Sequence, residues 1–229
     1  HPFRGTVNTE TQFFKNNKGD AAAHINIHPS EILVEDSIWR IEPSDIIYSK
    51  KHLNVDYFSI HHDDQHIIVS GLATRNPNDS LLIDLKDIDV SYVLNLLNFH
   101  AVEFGGLLSG KVVASGLFGN PRGHADVLVN QFKFETGRMG ALDAHVAWNE
   151  KAKQIDINAV ANDEHRKTVI SGYVSPERDY LDLDILANNT RLEFLEGFCD
   201  SFMQQVDANG RGRLRLFGNL GSLNLTGQV

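Results

Sequence analysis

Cysteine, tryptophan and basic blocks are what this chain has least of. One cysteine, Cys199, rules out an internal disulfide and leaves the redox compartment open. Two Trp and five Tyr are too few for the stacked aromatic platforms of a carbohydrate-active β-solenoid. No basic block offsets the formal charge of −9, which argues against non-specific binding to nucleic acid or anionic headgroups. The purely apolar runs are four residues or fewer, against the roughly 20 needed to span a bilayer as a helix. Initiator Met and signal peptide are missing too, since the sequence starts at His1, and an internal piece of something longer is expected. The 41% hydrophobic content across 229 residues is nevertheless enough for one or two packed units.

What the chain does have is a repeat. Trp39, Ile68-Val-Ser-Gly71, Asp79-Ser-Leu81-Leu-Ile83-Asp-Leu85 and the segment 110–119 recur in order. Their counterparts are Trp148, Val169-Ile-Ser-Gly172, Asp179-Tyr-Leu181-Asp-Leu183-Asp-Ile185 and the segment 212–218, at offsets of 109, 101, 100 and 102 residues. Four matches in order, with only loop lengths drifting, indicate a duplicated unit. Within each unit apolar and polar residues alternate, as in Leu53, Val55 and Tyr57, in Ile155 and Ile157, and in Leu214 and Leu216. Period two means strands with one dry and one wet face. Turn signals such as Asn76-Pro-Asn-Asp79 and Ser175-Pro-Glu-Arg-Asp179 separate them, which predicts a meander of antiparallel hairpins.

The period changes once per unit. Ser91 ahead of Val93, Leu96 and Leu97, and Thr190 ahead of Leu192, Leu195 and Phe198, predict short amphipathic helices with hydroxyl N-caps. No linker separates the repeats, so units over 1–137 and 138–229 are expected to share one continuous sheet: an all-β, elongated, repeat-built antiparallel architecture.

Signals of chemistry are few. Gly105-Gly-Leu-Leu-Ser-Gly110-Lys111 matches seven positions of a phosphate-binding loop. Val112 stands where the Mg²⁺-holding hydroxyl belongs and strand character follows, so a glycine-marked strand is the expected reading. In the run His61-His-Asp-Asp-Gln-His66, an extended strand would put His62, Asp64 and His66 on one face as a three-ligand metal set. Its place between two apolar strands instead predicts a polar hairpin turn. Asp84, Asp156, Asp182 and Asp184 alternate with apolar residues and mark wet faces rather than a catalytic pair. Cys199 is expected to be a buried, inert thiol, and Trp39 and Trp148 repeated packing anchors. No catalytic, cofactor or metal residues are assigned.

The order of features resembles the repeat-bearing TamB proteins of the AsmA-like group, in the form found in envelope proteins of Gram-negative bacteria related to Bacteroides. The carrying segments are 30–44 around Trp39, Ile68–Gly71, Asn78–Asp89, Phe104-Gly-Gly106, Gly212–Gly218 and Leu223–Gly227. The resemblance carries no catalytic signature. It implies an open trough with an apolar lining, in a non-enzymatic periplasmic protein anchored in the inner membrane. Such a protein conducts phospholipid toward the outer membrane and supports outer-membrane biogenesis, with an Omp85-type, TamA-like barrel as partner of other parts of the full-length chain. Phospholipid acyl chains would then lie on Leu81, Ile83, Leu85, Leu181, Leu183, Ile185, Leu214 and Leu216. The alternative is a scaffold that captures strands of outer-membrane barrel proteins at the sheet edge.

Overall fold

Prolines shape the first strands. The computed structural model describes residues 3–17, 19–34, 36–96, 101–199 and 208–229. Strands β3 (Ala21–Ile27) and β4 (Ser30–Val34) run antiparallel to β5 (Ser37–Ile41) and β6 (Ser44–Ser49). Ile27 opposes Ser44 and Ser30 opposes Ile41, so one unbroken register links the four short strands into a single hairpin. The interruption falls where Pro29 and Pro43 come to adjacent positions of this register and no ladder N–H is available. The preceding pair, β1 (Phe3–Thr6) on β4 and β2 (Thr9–Lys15) on β3, slips by one residue at Val7 and Asn8. Buried Ser30 absorbs the slip: its Oγ accepts from the Asn8 N–H at 2.9 Å and donates to the His28 carbonyl at 2.8 Å.

A plain meander follows. Strands β7 (His52–His62), β8 (Gln65–Ala73) and β9 (Ser80–Asp89) lead to α1 (Val90–Leu96) and then to β10 (Phe104–Ser115), which pairs with β9. The chain goes on through β11 (Arg122–Phe134), β12 (Gly137–Asn149), β13 (Gln154–Asp163), β14 (Arg166–Ser175) and β15 (Tyr180–Arg191). A 3₁₀ turn (Glu193–Leu195) runs into α2 (Glu196–Cys199), and β16 (Asn209–Asn219) and β17 (Ser222–Gln228) complete the order. The protein is all-β: seventeen strands in one antiparallel sheet that does not close on itself. Among the described residues no helix is long and apolar enough to cross a membrane.

Two compact units divide the chain, one of residues 1–87 with 110–124, the other of residues 88–109 with 125–229. The repeat itself is visible in the backbone. The turn residues Asp63 (φ +50°) and Glu164 (φ +54°), the strand glycines Gly71 and Gly172, and the late-strand residues Asp87 (φ +51°) and Asn189 (φ +58°) are matched left-handed or extended positive-φ positions. Gly71 opposes Leu81, whereas Gly172 opposes Leu183, so the spatial counterpart of Leu81 is Leu183 rather than Leu181. From the glycine to its opposing leucine the chain advances ten residues in the first unit and eleven in the second, and in both the register sets the apolar residues of the following strand opposite the glycine.

The helix starts differ from expectation. The carboxylate of Asp89 accepts from the Ser91 N–H at 2.8 Å, so Asp89 caps α1 and Ser91 lies inside it. Thr190 caps nothing: it is buried in β15, where its hydroxyl meets that of Thr168 at 2.7 Å, and the second helical turn begins after Leu192 with no side-chain cap. The side chains of Val93 and Leu96 and all of Leu97 lie outside the described residues.

Candidate functional site: an apolar sheet face

Register decides which side chains share a face, and in the second unit it lines up apolar rows across neighbouring strands. Val146, Ile157, Gly172, Leu183, Leu216 and Leu225 are successive Cα partners from β12 to β17. The parallel row Ala144, Ala159, Ile170, Ile185 and Leu214 flanks it on one side, and Trp148, Ile155, Val174 and Leu181 on the other. The opposite face carries His145, Asn158, Ser171, Asp184, Arg215 and Thr226 in register. The next row on that face, Asp143, Val160, Val169, Leu186 and Arg213, mixes apolar residues with polar ones, so the two faces differ in degree.

The apolar face is not uniformly covered. Toward the α2 end, Phe194 of the 3₁₀ turn packs its ring 5.5 Å from that of Phe134, and Phe198 stands 5.9 Å from Phe134. Phe104 stacks on Phe134 at 5.3 Å and on Phe132 at 6.1 Å. Beneath this aromatic cover Leu181, Leu183, Ile185, Leu214 and Leu216 are all buried in one cluster. A crevice of about 30 Å³ remains between Phe104, Phe194, Ile170, Leu183, Ile185 and Leu216, about one water's share of the liquid. Toward the other end Trp148, Ile155, Ile157, Val146 and Val174 are only half-buried. The face therefore grades from a packed core to a half-buried apolar margin.

In the first unit Leu81 is buried with Val55 and Ala73, and Ile46, Leu53, Phe58 and Val69 pack against them. Ile83 opposes Val69 and Leu85 opposes Ile67, both half-buried on the same face as Leu81. Leu81, Ile83 and Leu85 share one face of β9, and Leu183 and Ile185 of β15 stand opposite Leu216 and Leu214 on the face they share with Leu181. Six of the eight groove residues named from the sequence, Leu81, Leu181, Leu183, Ile185, Leu214 and Leu216, are already buried against protein neighbours where a ligand would lie.

The polar signals resolve into structure. The phosphate-loop match lies in β10, where a Cβ on Gly106 would come 2.7 Å from the Asn130 carbonyl oxygen, so that glycine serves strand packing. The His61–His66 run is a tight hairpin with His61 opposite His66 and His62 opposite Gln65, which places His62 and His66 on opposite faces and breaks the three-ligand set. His62 donates to the Ile38 carbonyl at 2.8 Å, and its ring lies 5.7 Å from that of buried Trp39. No group of three or more His, Cys, Asp or Glu side chains is arranged around a metal position among the described residues. Trp148, half-buried, donates from Nε1 to Glu150 at 2.7 Å, and the Glu150 carboxyl, which also pairs with Lys153, is held below its ordinary range by these two donors. The side chain of Cys199 lies outside the described residues.

Sequence reasoning missed one strong interaction. Arg215 donates from Nε and Nη2 to the two carboxylate oxygens of Asp182 at 2.8 and 2.7 Å, on the wet face of β15 and β16. Hydrogen bonds from Arg215 hold the Asp182 carboxyl below its ordinary value, and the same pair raises the pKa of Arg215. Alternating acids in β15 and arginines in β16 were the available signal, but the pairing depends on register. The aromatic cover was likewise foreshadowed by Phe132 and Phe134 at period two and by Phe194 and Phe198 one helical turn apart. No family model, curated protein or solved structure matches the chain.

Proposed function

We propose that the chain is a non-enzymatic segment of a periplasmic, envelope-spanning protein that conducts phospholipid between the inner and outer membranes and so supports outer-membrane biogenesis. One observation supports this reading: on a single sheet face an apolar row spans β12 to β17, interrupted only by Gly172, with shorter apolar rows beside it, and the face is half-buried rather than buried at its Trp148 and Ile155 end. Acyl chains sliding along such a face keep about 0.8 kcal/mol per buried methylene, some 8 kcal/mol for ten of them, while headgroups stay in water. The inner-membrane anchor and the contact with an Omp85-type barrel belong to other parts of the full-length protein.

Photo-crosslinkers at Ile155 and Ile157 test the reading in cells. Capture of phospholipid there, and none from Asp184 or Asn158 on the wet face, supports a conduit. Absence of lipid from both faces refutes it.

A second reading has its own observation. Every residue of β2 is exposed, with Phe13 at 84%. Such a strand offers exposed side chains, an aromatic among them, to the strand of an outer-membrane barrel protein. A crosslinker at Thr11 that traps unfolded barrel protein, with no lipid at Ile155, would favour this scaffold role.

A further inference from the structure

Away from the apolar rows, the first unit has a recess where three turns converge at one end of its strands. Lys15 at the close of β2, Lys51 in the β6–β7 turn and Arg75 in the loop after β8 border a groove of about 860 Å³. Its floor is a register row in which Phe14 opposes Ala22, Ala22 opposes Ser49, and Ser49 opposes His52. Ala22 and Ser49 are buried, Phe14 remains 43% exposed, and Ile47 adds to the apolar part. A greasy floor is thus rimmed by cations.

The three cations are uncompensated. Lys15, Lys51 and Arg75 form no ion pair and no side-chain hydrogen bond with any described residue, and Asp20 is the one carboxylate in the lining. The Asp20 N–H is itself used in the turn, donating to Asn16 Oδ1 at 3.0 Å, and the Thr74 hydroxyl is taken by Asp79 at 2.6 Å. In a chain of net charge −9, three cations facing one carboxylate in a shared recess make a local positive field that an anion would relieve. Lysine and arginine donors with free N–H groups match phosphate oxygens, and the imidazole of His52 stands on the same floor.

We propose that this groove binds an organic phosphate, its oxyanion between Lys15, Lys51 and Arg75 and its apolar part on Phe14, Ala22 and Ile47. The ligand is a soluble phosphomonoester or the phosphodiester head of a phospholipid, and the inference stands independently of what lies on the apolar rows.

Calorimetric titration of the whole chain with glycerol phosphate, alongside co-sedimentation with phosphatidylglycerol and phosphatidylcholine vesicles at low salt, tests it. The double variant Lys51→Gln with Arg75→Gln should bind at least tenfold more weakly. Arg211→Gln with Arg213→Gln removes the same charge from exposed β16 positions and should change binding less than twofold. Binding of glycerol phosphate identifies a soluble ligand, and binding to phosphatidylglycerol vesicles alone identifies the lipid head; either supports the site. Lys15→Gln with Lys51→Gln provides a second pair if the first lowers the melting temperature. No binding of either probe, or equal loss in the groove and β16 variants, overturns the proposal.

Discussion

Replacing Leu183 by Asp puts a carboxylate beneath the aromatic cover, at a side chain only 7% exposed. Its cross-strand neighbours on the apolar face are Gly172 and Leu216, and the nearby crevice is lined by Phe194, Ile170 and Ile185. The one hydroxyl in that lining, Thr168, is taken by Thr190 at 2.7 Å, and the other side chains offer no hydrogen-bond donor. Losing the buried leucine costs about 2–5 kcal/mol, and the unpaired carboxylate adds several more unless it takes up a proton. The sum, about 5 kcal/mol or above, rivals the whole stability of a typical domain, roughly 5–15 kcal/mol. Urea unfolding followed by the fluorescence of Trp148, at the open end of the same face, should lose its cooperative transition or move it by several molar. Asp184→Asn on the exposed wet side should leave the midpoint within about 0.5 kcal/mol of the parent. Leu183→Asp within about 1 kcal/mol of the parent would refute a dry interior at this row. The proposed lipid passage is for this reason better probed at Ile157, which is half-buried rather than buried.

Asp182→Asn removes a bidentate partner of Arg215. Because the folded-state pKa of Asp182 is depressed, its contribution is present above the ordinary carboxylate pKa near ~4 and is lost as pH falls through the lower folded value. Urea midpoints of the parent should therefore drop on acidification below about pH 4 more steeply than those of Asp182→Asn, and parallel curves would count against the pair. Gly172→Ala forces a Cβ to 2.0 Å from the Asp182 carbonyl oxygen at φ +152°, and Gly71→Ala to 2.3 Å from that of Ser80 at φ +114°. Each should lower stability by about 2 kcal/mol or more in thermal melts. Thr190→Val strands the buried Thr168 hydroxyl at a cost of about 1–3 kcal/mol, and the double change to Val at both positions should recover part of it. Asp89→Ala should cost about 1 kcal/mol through loss of the α1 cap, whereas Ser91→Ala should be near neutral.

Alternation and repetition were legible in the chain itself, because side-chain period and turn chemistry are local properties. Leu81, Ile83 and Leu85, or Leu214 and Leu216, can belong to one face of a strand whatever the strand pairs with. Recurrence of Gly71 as Gly172 marks a backbone conformation that glycine alone adopts freely, wherever the rest of the chain goes. Pairing is a different matter. Asp182 meets Arg215 across 33 residues, and His62 parts from His66, only once register is set, and a slip of one residue would reverse both results. The helix caps went astray for a related reason: the left-handed residues Asp87 and Asn189 turn the chain at the strand ends, which brings Asp89 to one helix start and draws Thr190 into the core beside Thr168. Which apolar residues stay half-open was also decided in three dimensions. Phe104, Phe134, Phe194 and Phe198 come from four separate stretches, and their meeting over Leu183 rather than over Ile155 is a long-range packing outcome that no local pattern encodes.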